Sequence, residues 1–124
     1  MTMSEPRSLS STPSSIPEIT KQILEDSERW FPEVHGNLAF HALALGGEVG
    51  EVQNIVKKIE RGSLSIRDPK VRHDLIMEVT DAFIYLLQVG GLLGADLSKS
   101  YYYKRVENER RFGNSGGTTE QDGG

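Results

Sequence analysis

Glu48 and Glu51 stand three residues apart, and so do Glu78 and Asp81 further along the chain. On an α-helix, positions i and i+3 differ by about 60° around the axis, so both carboxylates of each pair can point at one spot. Both pairs also sit among apolar residues: Glu48 lies between Leu45 and Val49, Glu51 precedes Val52, and Glu78 and Asp81 bracket Val79. Solvated charge runs seldom have such surroundings. If the two helices pack antiparallel through these stripes, four carboxylates converge in a partly dry site. At an effective dielectric near 20, two unit charges 4 to 8 Å apart repel by roughly 2 to 4 kcal/mol. The pairs among four carboxylates then sum to on the order of 10 to 20 kcal/mol, which rivals the whole stability of a small domain. A bound cation relieves that repulsion. Oxygen-only ligands in a chain without cysteine favour Mg²⁺, with Mn²⁺ as a substitute, over zinc. The Glu-x-x-His element of di-iron bundles is missing from the pattern. Either pair alone reads as an ordinary exposed helix face; two pairs within apolar stripes on consecutive helices argue for a metal site.

The neighbours suit a phosphate. Lys58 follows Glu51 by seven residues, within about 20° of it, and can reach a phosphate held by the metal, although a lysine near a helix C-terminus also favours the helix dipole. Lys104, Asn108 and Arg111 form an i, i+4, i+7 stripe suited to an anionic substrate. Tyr85 falls two turns after Glu78 on the acidic face, as a pocket residue or a core residue. Trp30, Phe31, His35, Phe40 and His41 supply rings that can stack on a base and read its edge. Trp30 reads first as a core anchor. His41, seven residues before Glu48, lies on nearly the same face and can line a pocket or sit as a satisfied core or surface histidine.

Helices must position all of these. The chain has 124 residues, 14 Lys and Arg against 18 Asp and Glu, and no Cys, which bounds it to one domain without disulfides or thiolate metal sites. A net charge of −4 gives no global field for a nucleic acid polymer. The continuous apolar runs are too short for a membrane span, and residues 1–15 lack the apolar stretch of a signal peptide, so the cytoplasm is the expected compartment. Residues 1–14 read as a disordered leader rich in serine, residues 15–112 as the working domain, and residues 113–124 as a disordered glycine-rich tail. Ser15 with Glu18 has capping-box spacing and opens a first helix that Pro32 stops after Trp30. Asn37 caps a second, long helix ending near Gly62; Asp68-Pro69 opens a third, ending near Gly94; Asp96 caps a fourth that runs to Phe112. No segment alternates long enough to make a strand. The expectation is an all-α four-helix bundle, two long antiparallel helices flanked by two shorter ones. The Gly90-Gly91 pair costs about 1 kcal/mol per glycine inside a helix, which predicts close approach of another helix there, with a kink or an early helix end as the alternative.

These motifs together resemble a known family. The run Leu43-Ala-Leu-Gly-Gly-Glu-Val-Gly-Glu-Val52, the pair Lys57-Lys58, the run Glu78-Val-Thr-Asp-Ala-Phe-Ile-Tyr-Leu86 and the ending Lys104-x-x-x-Asn108-x-x-Arg111-Phe112 resemble the MazG-like all-α nucleotide pyrophosphohydrolases. The likeness covers roughly residues 37–112, and E-x-x-E, 26 residues, E-x-x-D falls within the family pattern. Met77 departs from it, standing where many members carry another glutamate. The resemblance implies Mg²⁺-dependent hydrolysis of a nucleoside triphosphate, or its deoxy form, to the monophosphate and pyrophosphate, and assembly through a helical bundle as a homodimer or homotetramer. On that reading Glu48, Glu51, Glu78 and Asp81 are metal ligands, Glu48 or Glu51 is the general base, Lys58, Lys104 and Arg111 hold phosphate, and His41, Tyr85, Asn108 and Trp30 meet the rest of the substrate. The rival readings are a phosphoribosyl-ATP pyrophosphohydrolase and a non-catalytic helical module that binds a divalent ion.

Overall fold

The computed structural model describes residues 13–113, and the described residues form four α-helices and no strand. They are α1 (Ile16–Trp30), α2 (Leu38–Glu60), α3 (Pro69–Leu92) and α4 (Leu97–Phe112). The leader and tail readings, apart from residues 13–14 and 113, lie outside the described residues.

Each helix begins where its side chains can satisfy free backbone N–H groups. The Ser15 Oγ accepts from the Glu18 amide at 3.2 Å while the Glu18 carboxylate accepts from the Ser15 amide, closing the capping box. The Asn37 Oδ1 accepts from the Phe40 amide at 2.9 Å, the Asp68 carboxylate from Lys70 at 2.9 Å, and the Asp96 carboxylate from Ser98 at 3.0 Å. The two long helices also end alike. After α2 the amides of Gly62 and Ser63 donate to the carbonyls of Ile59 and Lys58, and after α3 those of Gly94 and Ala95 donate to Gly91 and Gly90. Both are Schellman closures, with glycine in the left-handed region at φ 86° and 72°.

The dominant packing is α2 against α3, with α1 laid on α3 and α4 resting chiefly on α1. The α2–α3 pair is antiparallel: Glu48 meets Glu78, His41 meets Tyr85, and near the open end Gln88 Nε2 donates to the His35 carbonyl at 3.0 Å. The Gly90-Gly91 expectation holds. A Cβ on Gly91 would come within 2.9 Å of both Thr20 and Leu24 of α1, and one on Gly90 within 2.7 Å of Leu97 of α4. Thr20 cannot turn aside, because its hydroxyl donates to the Ile16 carbonyl at 2.8 Å. Gly91→Ala therefore lowers the melting temperature, because overpacking worth about 1–3 kcal/mol exceeds the helix-propensity gain of about 1 kcal/mol. Gly46→Ala, in α2 with nothing within 4 Å, raises it. A calorimetric scan of both variants checks the pair; equal shifts would contradict the close approach.

The core is thin. Val71 and Leu87 are the buried apolar residues among those described, and no described side chain falls below 2% exposure. On α3, Ile76, Val79, Phe83 and Leu86 all remain exposed. Their 3-4-3 spacing places them in one stripe turned away from the acidic face. By length and composition α3 is also apolar enough to cross a membrane, at a mean hydropathy of 1.4, a longer apolar window than the short continuous runs suggest. Glu78 and Asp81 near its middle meet Glu48 of α2, which is how an amphipathic bundle helix is built.

Candidate functional site

The acidic pairs converge incompletely. Oxygens of Glu48, Glu78 and Asp81 lie within 4.8 Å of one another, so three of the four carboxylates share one spot between α2 and α3. Glu51 stands outside this trio on an exposed position. The reason is angular: His41, Glu48, Val52 and Ile59 follow the line of α2 that faces α3, and Glu51 is about 60° off that line. Glu51 still acts on the trio as the weakest of the charges felt by Glu48.

Glu48 holds its proton above the ordinary carboxylate range. Burial is the first cause, followed by a carboxyl hydrogen bond with Glu78 and then the charges of Asp81, Glu78 and Glu51. The sign of the linkage follows. A carboxyl whose folded pKa is raised binds more protons in the native than in the unfolded chain, so its contribution to stability falls as pH rises from the ordinary carboxylate value through the raised one. In EDTA, the melting temperature of the native sequence should fall relative to that of Glu48→Gln across this window. Excess Mg²⁺ at neutral pH should close the gap. Parallel melting curves would remove the like-charge account.

Three converging hard oxygen donors in a chain without cysteine fit Mg²⁺ or Mn²⁺ in type, and the like charges gathered around Glu48 are what a divalent ion would relieve. Lys58 is half-buried two turns beyond Glu51. Lys104, Asn108 and Arg111 occupy exposed faces of α4, whose main packing partner is α1 rather than the acidic helices. Arg111 stacks on the Phe112 ring at 4.7 Å.

A cavity of about 290 Å³ lies between α1, α2 and α3. Because His41 precedes Glu48, and Tyr85 follows Glu78, by seven residues on antiparallel helices, this cavity sits about 10 Å along the bundle from the acids. Its walls are mostly apolar, with Trp30, Phe40, Ile84 and the Tyr85 ring among them. Trp30 is not a core anchor: it is 59% exposed at the end of α1, edge-on to Phe31, with the Arg29 guanidinium over its ring. A helix that ends at Trp30 leaves no further turn to cover the indole. His41 is buried, its ring 6.0 Å from that of Tyr85, and its Nε2 lies 3.0 Å from the Val34 carbonyl.

Ser27 and Gln88 line the same cavity, both buried, and sequence reading alone passes over them. The usable signal for Gln88 is a lone amide inside the apolar run Leu86-Leu87-Gln88-Val89. Ser27 has none beyond its place one turn before Trp30. Among the described residues, the Ser27 hydroxyl and His41 Nδ1 have no hydrogen-bond partner, and a buried polar atom left unpaired costs about 1–3 kcal/mol.

Comparison with protein-family models returns no match, and no curated protein matches the chain.

Proposed function

We propose that the protein is a Mg²⁺-dependent nucleoside triphosphate pyrophosphohydrolase of the MazG-like kind, acting in the cytoplasm as a homo-oligomer on a ribo- or deoxyribonucleotide. The observation that carries this reading is the convergence of Glu48, Glu78 and Asp81 at one point between two long antiparallel helices. The motif resemblance supplies the reaction class.

Glu48, Glu78 and Asp81 would hold the ion. A bound divalent cation supplies charge neutralisation for the phosphate oxygens, the main requirement of phosphoryl transfer besides positioning. Glu51, outside the trio and more exposed, would accept a proton from the attacking water, since Glu48 is committed to the ion. Water adds to phosphorus in line with the α–β anhydride, that P–O bond breaks, and the electron pair leaves with pyrophosphate. Lys58 offsets charge on the phosphate chain. Lys104 and Arg111 do so from α4, with Asn108 beside them meeting the rest of the substrate, and a second copy can bring this helix to the acids more readily than the same chain, where α1 holds it.

Pyrophosphate release, assayed over all common ribo- and deoxyribonucleoside triphosphates with Mg²⁺ and again with EDTA, tests the reading. One or a few substrates should turn over with Mg²⁺ and none with EDTA. Activity confined to phosphoribosyl-ATP would move the protein to that related reaction. No release from any substrate would leave a metal-binding helical module.

A further inference from the structure

We propose that His41 and Gln88 are positioning residues: together they latch the α1–α2 turn to the α2–α3 hairpin and so hold one wall of the cavity in register with the acids. The proposal goes beyond the pyrophosphohydrolase reading and rests on it only for the kinetic arm of its test.

The turn, residues 31–37, is exposed apart from Val34 and His35, and these two half-buried residues are the ones whose carbonyls the hairpin grips. The Val34 carbonyl accepts from His41 Nε2 of α2 at 3.0 Å, and the His35 carbonyl from Gln88 Nε2 of α3 at 3.0 Å. A carbonyl oxygen can only accept, so the first contact fixes the hydrogen of His41 on Nε2. The Asn37 amide also donates to the Val34 carbonyl, at 2.9 Å, which occupies both of its lone pairs, and the His35 amide donates to the Phe31 carbonyl at 3.0 Å. The peptide unit between Val34 and His35 is thus bonded on both sides, and the next carbonyl along is bonded as well. Loop backbone ordinarily runs over the surface and meets water. Here two successive carbonyls take donors from side chains that are each 3% exposed, one on either long helix. Burying an imidazole and an amide costs free energy unless each finds a partner, so these two residues give the turn one seat and penalise every other. Phe31 and Val34 of the turn line the cavity, so that seat sets where this wall stands. His41 precedes Glu48, and Gln88 follows Asp81, by seven residues, which puts each grip two turns along its helix from a carboxylate of the trio. The same pair of helices therefore carries the acids at one level and fixes the wall at the next.

Hydrogen exchange and nuclear magnetic resonance on the full chain in EDTA test the latch without substrate. Gln88→Met keeps the length of the side chain and its fit among apolar neighbours but removes the donor. The amides of Val34, His35 and Asn37 should then exchange roughly tenfold faster, the factor for one hydrogen bond, while those of the hairpin keep their rates. A glutamine that only fills space would leave the turn unchanged. The ring nitrogen signals of His41 give a second readout. In the native chain they should show the hydrogen on Nε2, and in Gln88→Met they should move toward an exchanging mixture of tautomers as the Val34 carbonyl withdraws. His41→Phe should speed the same amides, and keeps the test decisive if the glutamine variant does not fold. Unchanged turn exchange in both variants, or a native His41 with its hydrogen on Nδ1, overturns the proposal. So does faster exchange with unmoved ring signals, which would make the two contacts independent. Where the native chain releases pyrophosphate, Gln88→Met should raise KM with kcat little changed, because the acids stay in place and only the fraction of chains with the wall seated falls. An unchanged KM with a released turn overturns the positioning role. No release from the native chain overturns the hydrolase reading alone, and the exchange and ring signals still decide the latch.

Discussion

Glu48→Gln, Glu78→Gln and Asp81→Asn should each lower Mg²⁺-dependent pyrophosphate release by at least roughly 10²-fold while leaving helical circular dichroism unchanged. The three oxygens lie within 4.8 Å of one another, so removing one weakens the hold on the ion that the other two share. The losses should not add. A double variant should be little worse than the poorer single one, the behaviour of groups that act as a unit. Glu51→Gln should differ in kind, since Glu51 stands outside the trio: turnover falls while the Mg²⁺ concentration for half-maximal activity moves little. If any two of the three trio variants keep near-normal turnover, the metal centre is misplaced. If Glu51→Gln instead shifts the Mg²⁺ requirement as far as they do, the fourth carboxylate belongs to the ligand set.

The second large effect concerns assembly. Light scattering at micromolar concentration should give at least twice the chain mass of 13.8 kDa. A chain of this length with only Val71 and Leu87 as buried apolar residues among those described has too little interior to hold its helices by itself. The missing interior is the stripe Ile76, Val79, Phe83 and Leu86, whose 3-4-3 spacing is that of a helix seam. Burying four half-exposed side chains on each of two copies contributes about 6–12 kcal/mol before association costs, comparable to a micromolar dimer at about 8 kcal/mol. A two-fold pairing of the α2–α3 hairpins through this face makes a four-helix core. Phe83→Glu should give a monomer with a sharply lower melting temperature, because it places a charge in the seam and opposes its symmetry mate. A monodisperse, fully active monomer of the native sequence would refute the pairing.

What the sequence made legible were the features governed by local chemistry. Ser15, Asn37, Asp68 and Asp96 cap the four helices, and Gly62 and Gly94 end the long ones, because capping depends on a side chain and the few amides next to it. The trio was partly legible: spacing places Glu48 and Glu51 on neighbouring lines of a helix, but which line faces α3 depends on how the helices rotate against each other. That rotation turned Glu51 outward. The polar side of the cavity was not legible. Ser27 and Gln88 look like interruptions of apolar stripes until α1 and the α1–α2 turn are laid over α3, a contact that spans 53 residues between His35 and Gln88. Trp30 shows the converse: a large apolar side chain reads by type as interior, and the end of its helix leaves it at the surface.

The placement of α1 also bears on the order in which the molecule comes apart. α2 and α3 are joined by a short turn and share the most extensive interface, whereas α1 is held by its contact with α3 and a weaker one with α4. Elements with the fewest packed contacts open at the lowest free energy, so the amides of α1 should lose protection from hydrogen exchange before those of the hairpin. α1 forms one whole wall of the cavity, and its partial detachment would expose the buried lining without disturbing the acidic trio. The mouth of the cavity, where Trp30 and Phe40 are exposed, needs no such opening, but access to the buried Ser27 and His41 atoms would then be a local unfolding event, with a rate set by how tightly Thr20 and Leu24 seat against Gly91.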